Sequence, residues 1–300
     1  MRNPLPLLAP AIAAFLFAPA PLAAQTADAS TRVAQAENEI VVEGRREEIR
    51  NELKQLFEEN SDQLARFESE FCPVIIGFPA DWSAIIESKI RENVTEAGLE
   101  VEDKPCRPTA SVIFSYDPEE LMEGLRKKMP GLFRGMSPVE LDRLMGDTRT
   151  AYGWRAVDML SRDGRPLESA GQINGQAADA KIVRDAYPTR LYSNVRYDIV
   201  NSYLVLDIEK TPGMTLQQIA DYATLHLLLD LQVDAAAKSR QGSILRLFDV
   251  ADPSTLADTM SEFDRRMLRG FYSQPDNNYS ARRQRARMAR EIKEGDETSE

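Results

Sequence analysis

Histidine is almost absent from this chain of 300 residues, which contains only His226. A catalytic zinc site takes three protein ligands and leaves one position open for water. The zinc helix of a metalloprotease needs two histidines four residues apart, so this chain cannot build it. The sequence also lacks a Gly-rich phosphate loop, a GxSxG nucleophile elbow and a dinucleotide fingerprint. We therefore expect no cofactor.

Basic residues are also in the minority, with 37 Lys and Arg against 48 Asp and Glu and a formal net charge of -11. Attraction to nucleic-acid phosphates needs clustered Lys and Arg, so a general nucleic-acid binder is excluded. The segment 282–294 is the exception. It predicts either a solvated terminal helix or a contact with anionic lipid or lipopolysaccharide phosphate. Its arginines are Arg282, Arg283, Arg285, Arg287 and Arg290.

Long apolar runs are missing except at the start, which reads "MRNPLPLLAPAIAAFLFAPAPLAAQTADA". One basic residue followed by an apolar stretch and small residues is the layout of a signal peptide, which we assign to residues 1–24. Cleavage is expected after Ala20, Ala24 or Ala29. A retained membrane anchor is the alternative, but prolines interrupt the stretch and no basic stop-transfer cluster follows it. We expect a periplasmic or secreted protein with no transmembrane segment after cleavage.

Cysteine occurs only twice, at Cys72 and Cys106. Because an exported chain meets an oxidising compartment, the two residues are expected to form a disulfide. The bond would join the starts of two strands, "CPVIIGF" and "TASVIFSY", and would be worth about 3 to 4 kcal/mol. Two free thiols are the alternative. The chain has no CxxC or Cys/His pattern, so thiol chemistry is not indicated.

The chain divides by composition into four parts. After the signal peptide, residues 25–68 predict a disordered polar segment followed by an amphipathic helix. Residues 69–275 form the main domain, and residues 276–300 form a charged C-terminal tail. The apolar stripe of the amphipathic helix consists of Ile49, Leu53, Leu56 and Phe57.

The main domain alternates short β-rich runs with well-marked helices. A helix between Asp81 and Gly98 links the two cysteine-linked strands, which makes a βαβ unit with parallel strands. Asp117, Ser137 and Thr215 are expected to cap later helices. The segment "RLYSNVRYDIVNSYLVLDIE" predicts two strands joined near residues 198–202. The expected fold is α/β (α+β), with a twisted mixed sheet of about five strands and packed helices.

The helix that carries the histidine, "QIADYATLHLLLDL", is apolar nearly all round. Such a helix is expected to be central and buried. Tyr222, His226 and Asp230 fall at i, i+4 and i+8, which stacks three polar side chains along one edge. Three roles are open for His226. It is a packed residue whose hydrogen bond goes to Asp230 or to a backbone carbonyl, or it is a proton-transfer group oriented by Asp230, or it contacts a ligand. The apolar surroundings favour packing.

The order and spacing of "QIADYATLHLLLDL", "GSILRLFD" and "MSEFDRRMLRGFY" are similar to the end of metzincin-like metalloproteases and of a related uncharacterised family of exported bacterial proteins. In that resemblance an active-site helix leads to a Ser-Ile turn and then to a short helix with an internal Asp. Tyr222 and Ala223 stand where a zinc histidine and the catalytic glutamate would be, and only His226 is retained. The resemblance implies a metzincin-like fold over residues 69–275 without the metal site. It assigns structural roles to Ser243, Ile244, Asp264 and Tyr272.

The segment "EIVVEGRR" resembles the energy-coupling box of TonB-dependent receptors, which binds its periplasmic partner by adding a strand to a sheet. A receptor barrel does not fit in 300 residues. The functional interpretation is a weak TonB-type contact through Ile40, Val41 and Val42. The structural alternative is an edge strand, which we favour.

Two functional hypotheses follow from the sequence. The first is an exported, non-catalytic envelope or secreted protein with a degenerate metalloprotease-like fold, acting as a binding or accessory module. The second is a hydrolase of unknown class that uses the helix edge of Tyr222, His226 and Asp230. An open cleft over that edge would favour the second hypothesis.

Overall fold

The computed structural model describes residues 44–57, 63–146, 149–169, 171–173, 176–177, 181–184, 191–274 and 278–297. Residues from Arg45 onward form one compact unit. The predicted signal peptide, its cleavage sites at Ala20, Ala24 and Ala29, and the TonB-like residues Ile40, Val41 and Val42 lie outside the described residues. Within the described part of the chain, no helix is long and apolar enough to cross a membrane.

The main sheet has four strands in the order β1, β2, β8, β3. Strands β1 (Pro73–Ile76), β2 (Ala110–Ser115) and β8 (Val195–Asp207) are parallel, and β3 (Ala151–Ser161) is the antiparallel edge strand. The predicted mixed sheet and the parallel βαβ unit are thus confirmed. Between β3 and β8 lie two small ladders, formed by β4 (Glu168–Ser169) with β7 (Lys181–Ile182) and by β5 (Gln172–Ile173) with β6 (Gln176–Ala177).

The prediction of two strands joined near residues 198–202 is wrong, because β8 runs unbroken for 13 residues. The polar residues in this stretch are accommodated within the strand. Asp198 pairs with Arg196, and the pairing with β3 shifts by one residue, which leaves Val200 as a bulge. A bulge adds one unpaired residue and bends the strand without ending it. The sheet has four strands, which agrees with the expected mixed sheet of about five.

Helices cover both faces of the sheet. Residues 44–56 are helical and are named α1. The later helices are α2 (Ala80–Glu96), α3 (Pro118–Lys128), α4 (Pro138–Met145), α5 (Leu216–Leu228), α6 (Ala235–Lys238), α7 (Glu262–Tyr272) and α8 (Ala281–Glu297). The predicted caps at Asp117, Ser137 and Thr215 are confirmed, since each side chain accepts a hydrogen bond from the backbone three residues on.

The larger core lies on one face of the sheet and contains α5 at its centre. Helices α2 and α5 pack against β1, β2 and β8 there, and α7 and α8 add a further layer. The smaller core on the other face is built around Trp154, which stacks between Phe133 and Tyr203 with centroid distances of 5.1 and 5.0 Å. Alternate residues of β8 face the two cores, as a strand buried on both sides requires.

The chain segments outside residues 69–275 contribute to the larger core. In α1 the predicted apolar stripe is buried, and Leu53 and Leu56 are fully covered. In α8 the side chains of Met288 and Ala289 are buried against α7. The compact unit therefore extends past residues 69 and 275 in both directions.

The disulfide between Cys72 and Cys106 is present, with a Cα separation of 6.2 Å, so the predicted pairing is confirmed. It joins the residue before β1 to the loop that leads from α2 into β2. Disulfides form and persist in oxidising compartments. This bond fits an extracytoplasmic location for the folded domain.

Candidate functional site

The candidate site is built around α5, whose sequence determines both its start and its burial. Thr215 and Gln218 form a capping box in which each side chain bonds to the other residue's backbone N–H. The helix is apolar on nearly every side, and its residues from 218 to 228 are buried except for His226, which is partly buried. The prediction of a central, buried helix is confirmed.

The polar edge predicted along this helix is shorter than expected. Helix α5 ends at Leu228, and Leu229 adopts an extended backbone with φ -104° and ψ 142°. Asp230 therefore does not lie one helical turn beyond His226, and its inclusion in an i, i+4, i+8 stripe is wrong. The apolar sequence pattern runs on beyond Leu228, but the helix does not. The chain leaves the helix there, and the backbone N–H of Gln232 donates to the backbone carbonyl of Leu56 at the end of α1.

Asp230 has partners other than the histidine. One carboxylate oxygen accepts a hydrogen bond from Arg155 Nε at 3.2 Å, and the other accepts one from the backbone N–H of Ala65 at 3.3 Å. The Arg155 guanidinium also donates to the backbone carbonyls of His226 at 3.0 Å and Leu231 at 2.9 Å. Arg155 is buried, and it satisfies backbone carbonyls that the end of the helix leaves unpaired.

The imidazole of His226 is packed against its own helix and against β3. Its ring centroid lies 4.3 Å from that of Tyr222. Nε2 is buried and has no hydrogen-bond partner among the described residues. Burial, with the positive charge of Arg155 as a smaller cause, lowers the pKa of His226 to about 3. The imidazole is therefore neutral at physiological pH.

Gly153 on β3 makes this packing possible. A Cβ atom at position 153 would lie 2.9 Å from His226 Nδ1, which is closer than real Cβ contacts occur. A glycine in the interior of a strand weakens the strand, so its presence indicates that something approaches the backbone closely. Here the approaching group is the histidine ring.

Two adjoining cavities open beside Gly153, and the ring of His226 lines the second of them. The first, of about 460 Å³, lies between β3 and the segment after α5, and its walls include Trp154, Arg155 and Asp230. The second, of about 300 Å³, is lined by Tyr222, His226 and Asp249, among others. Both cavities share the wall residues Gly153, Leu231, Gln232 and Val233. We call the pair the β3 groove.

The second cavity brings Tyr222 and His226 to one wall, but it does not add Asp230, which lines the first cavity. Burial, and secondarily the charge of Asp249, raises the pKa of Tyr222, so the phenol stays protonated. Among the described residues, no three His, Cys, Asp or Glu side chains are grouped closely enough to hold a metal ion.

Comparison with protein-family models, with curated proteins and with solved structures finds no match.

The four residues to which the resemblance assigned structural roles all make buried contacts. Asp264 accepts four hydrogen bonds, two of them from Ser243 Oγ at 2.7 Å and Ile244 N at 3.0 Å. The other two come from the hydroxyl and the backbone N–H of Ser261, the residue that caps α7. Tyr272 donates to the backbone carbonyl of Leu228 at 2.7 Å. These bonds fasten the turn after α5 and the end of α5 itself to helix α7.

A second buried carboxylate, Asp221, was not singled out in the sequence. It accepts four hydrogen bonds, from Asn93, Gln217, Thr259 and the backbone N–H of Met260. These bonds tie α2, α5 and the loop before α7 together. The one available signal was an acidic residue on an otherwise apolar helix, since such a group is expected to be paired.

The five tail arginines lie on α8. Arg282 and Arg290 are exposed, whereas Arg283, Arg285 and Arg287 are partly buried. Arg290 pairs with Glu294, and Arg283 stacks on Tyr279 with 3.8 Å between the guanidinium carbon and the ring centroid. The basic segment is thus a helix docked on the core.

Proposed function

We propose that this protein is an exported, non-catalytic binding or accessory module with a degenerate metalloprotease-like fold, and that the β3 groove receives its ligand. The observation that carries the proposal is the buried guanidinium of Arg155 at the end of the histidine helix. Burial lowers the pKa of His226, the charge of Arg155 lowers it further, and the same guanidinium binds Asp230. A positive charge in this position opposes the binding of a cation by the remaining imidazole.

The metalloprotease-like ancestry is part of this proposal and rests on the order of the elements that follow the histidine helix. The resemblance implies a mixed sheet with the former active-site helix beneath it, followed by a Ser-Ile turn and a short helix with an internal Asp. Helix α5 stands where the resemblance has the active-site helix. Ser243 and Ile244 stand at the turn, and both donate hydrogen bonds to Asp264 in the short helix α7. Tyr222 and Ala223 stand in place of a zinc ligand and a general base. Helix α5 therefore serves as part of the wall of the groove instead of holding a metal.

The groove supports a binding role because its lining is mixed. Ligand sites are concave, largely apolar and supplied with a few polar groups that fix orientation. The apolar part of the lining consists of Trp154, Leu231 and Val233, and the polar part includes Arg143 and Gln232. Export is supported by the disulfide, which suits an oxidising compartment.

The alternative is a hydrolase that uses Tyr222 and His226. One observation favours it, which is the cavity of about 300 Å³ that both residues line. Two observations oppose it. A general base works best with a pKa near the operating pH, whereas the pKa of His226 is about 3. Asp230, the expected orienting acid, bonds instead to Arg155 and to the Ala65 backbone.

The test combines metal analysis with hydrolase assays on the purified full chain. After equilibration with zinc and removal of free ion, we expect less than stoichiometric zinc and no peptidase or esterase activity. His226→Leu should leave this result unchanged. Stoichiometric zinc together with peptidase activity would overturn the proposal. An activity that disappears in His226→Leu but persists in the remote control Asp252→Ala would establish the hydrolase instead.

A further inference from the structure

Arginines from two distant parts of the chain converge on two tyrosine rings. The guanidinium carbon of Arg283 lies 3.8 Å from the ring centroid of Tyr279 and 4.9 Å from that of Tyr192. Arg162, which follows β3, lies 5.0 Å from the Tyr192 centroid, and Arg287 lies 5.8 Å from the Tyr279 centroid. We call these five residues the arginine–tyrosine cluster.

The tyrosines form a fixed platform for these charges. Their centroids are 5.3 Å apart, and the two residues form an antiparallel β-bridge. Tyr279 is buried, while Tyr192 is partly exposed. When a guanidinium stacks on an aromatic ring, its flat face contacts the ring. The N–H groups at the edge of the guanidinium then point away from the ring and can bind an anion.

The cluster has three positive charges without a matching negative one. Among the described residues, Arg162, Arg283 and Arg287 have no acidic partner. The nearest acid in sequence, Asp163, accepts from Ser161 and pairs with Arg165. Like charges held this close repel one another, so a polyanion would relieve an existing strain. The cluster is also opposite in sign to the chain as a whole, whose net charge is -11.

We propose that the arginine–tyrosine cluster binds the phosphate groups of an anionic lipid surface. Arginine pairs with phosphate through two parallel N–H bonds. Leu191, next to Tyr192 in the chain, is 54% exposed and places an apolar side chain beside the charges. Basic groups beside an exposed aliphatic side chain and a tyrosine ring are typical of a protein surface that lies on a membrane interface. This surface is separate from the β3 groove.

The proposal is tested by sedimentation of the full chain with vesicles of phosphatidylcholine alone or mixed with phosphatidylglycerol. We expect binding only to the mixed vesicles, and weaker binding at high salt. Arg162→Gln and Arg283→Gln should each weaken binding about fivefold. Arg283→Lys should weaken binding less than Arg283→Gln but measurably, because the charge remains while the stacked, two-pronged guanidinium is lost. Leu191→Gln should weaken vesicle binding without changing the salt dependence.

The matched control is Arg126→Gln in α3, which changes the net charge equally at an exposed residue outside the cluster. It should bind like the wild type. Equal weakening by Arg126→Gln would show that net charge alone governs binding and would overturn the proposal. Failure of the wild type to bind mixed vesicles, or binding to a single-stranded oligonucleotide in its place, would also overturn it. Melting temperatures verify folding, and Arg162, which is exposed, provides the test if Arg283→Gln does not fold.

Discussion

The single histidine gives a direct test of how the centre of the molecule is packed. Burial lowers the pKa of His226 to about 3, whereas the value for an unperturbed histidine is 6.5. Between these two values the unfolded chain binds a proton that the folded chain does not bind. The free energy of unfolding must therefore fall as the pH drops from about 6.5 toward about 3. Above about 6.5 the imidazole is neutral in both states and contributes no pH dependence.

The size of the effect follows from the pKa difference. Each pH unit within the window corresponds to 1.36 kcal/mol, so lowering the pH from 7 to 5 should cost about 2 kcal/mol through this residue. His226→Leu removes the effect. At pH 7 the variant should differ from the wild type by less than about 1 kcal/mol, because leucine replaces a buried nitrogen that has no hydrogen-bond partner among the described residues.

Urea unfolding of both proteins at pH 7 and pH 5 measures this difference. Carboxylates contribute equally to both proteins, so the difference between them isolates the only histidine in the chain. Proton NMR gives a second measurement, since the single set of imidazole signals should keep its neutral chemical shifts from pH 8 to pH 5. A titration midpoint near 6.5, or the same pH dependence in His226→Leu, would refute the packing argument and restore a proton-transfer role.

Three further predictions concern the contacts that hold the site. Asp264→Ala should lower the free energy of unfolding by about 3 kcal/mol, because it leaves buried donors unpaired; urea unfolding should show a much smaller effect for the exposed control Asp252→Ala. Replacing Cys72 and Cys106 together with alanine should cost about 3 kcal/mol, and a variant as stable as the wild type would contradict this value. Arg155→Met should cost about 3 kcal/mol, because Asp230 loses its buried partner, and an unchanged melting temperature would contradict this expectation.

Local signals in the sequence predicted most of the secondary structure. The Ser137 and Thr215 capping boxes start α4 and α5 because the residue three positions on completes each box. The spacing of Ile86, Ile90 and Val94 identifies the buried face of α2. These features depend on residues within one or two helical turns, so they can be predicted from the sequence without knowledge of the fold.

Long-range contacts account for the predictions that were wrong. The break expected near residues 198–202 does not occur, since the pairing of β8 with β3 continues across a bulge. The polar edge expected to include Asp230 ends earlier, because α5 stops at Leu228 and the following residues pair with the end of α1. Both outcomes are decided by a strand or helix far away in the chain.

By itself, the sequence determined the layout typical of an exported protein, the Cys72–Cys106 bond, the α/β alternation and the lack of a second histidine for a zinc helix. These properties follow from residue identity and short-range spacing. Only the tertiary structure decided that Arg155 engages Asp230, that Gly153 admits the His226 ring, and that Arg162 joins the arginines of α8. Each of these contacts joins residues far apart in the chain, and burial and distance in the folded state determine the chemistry of each group.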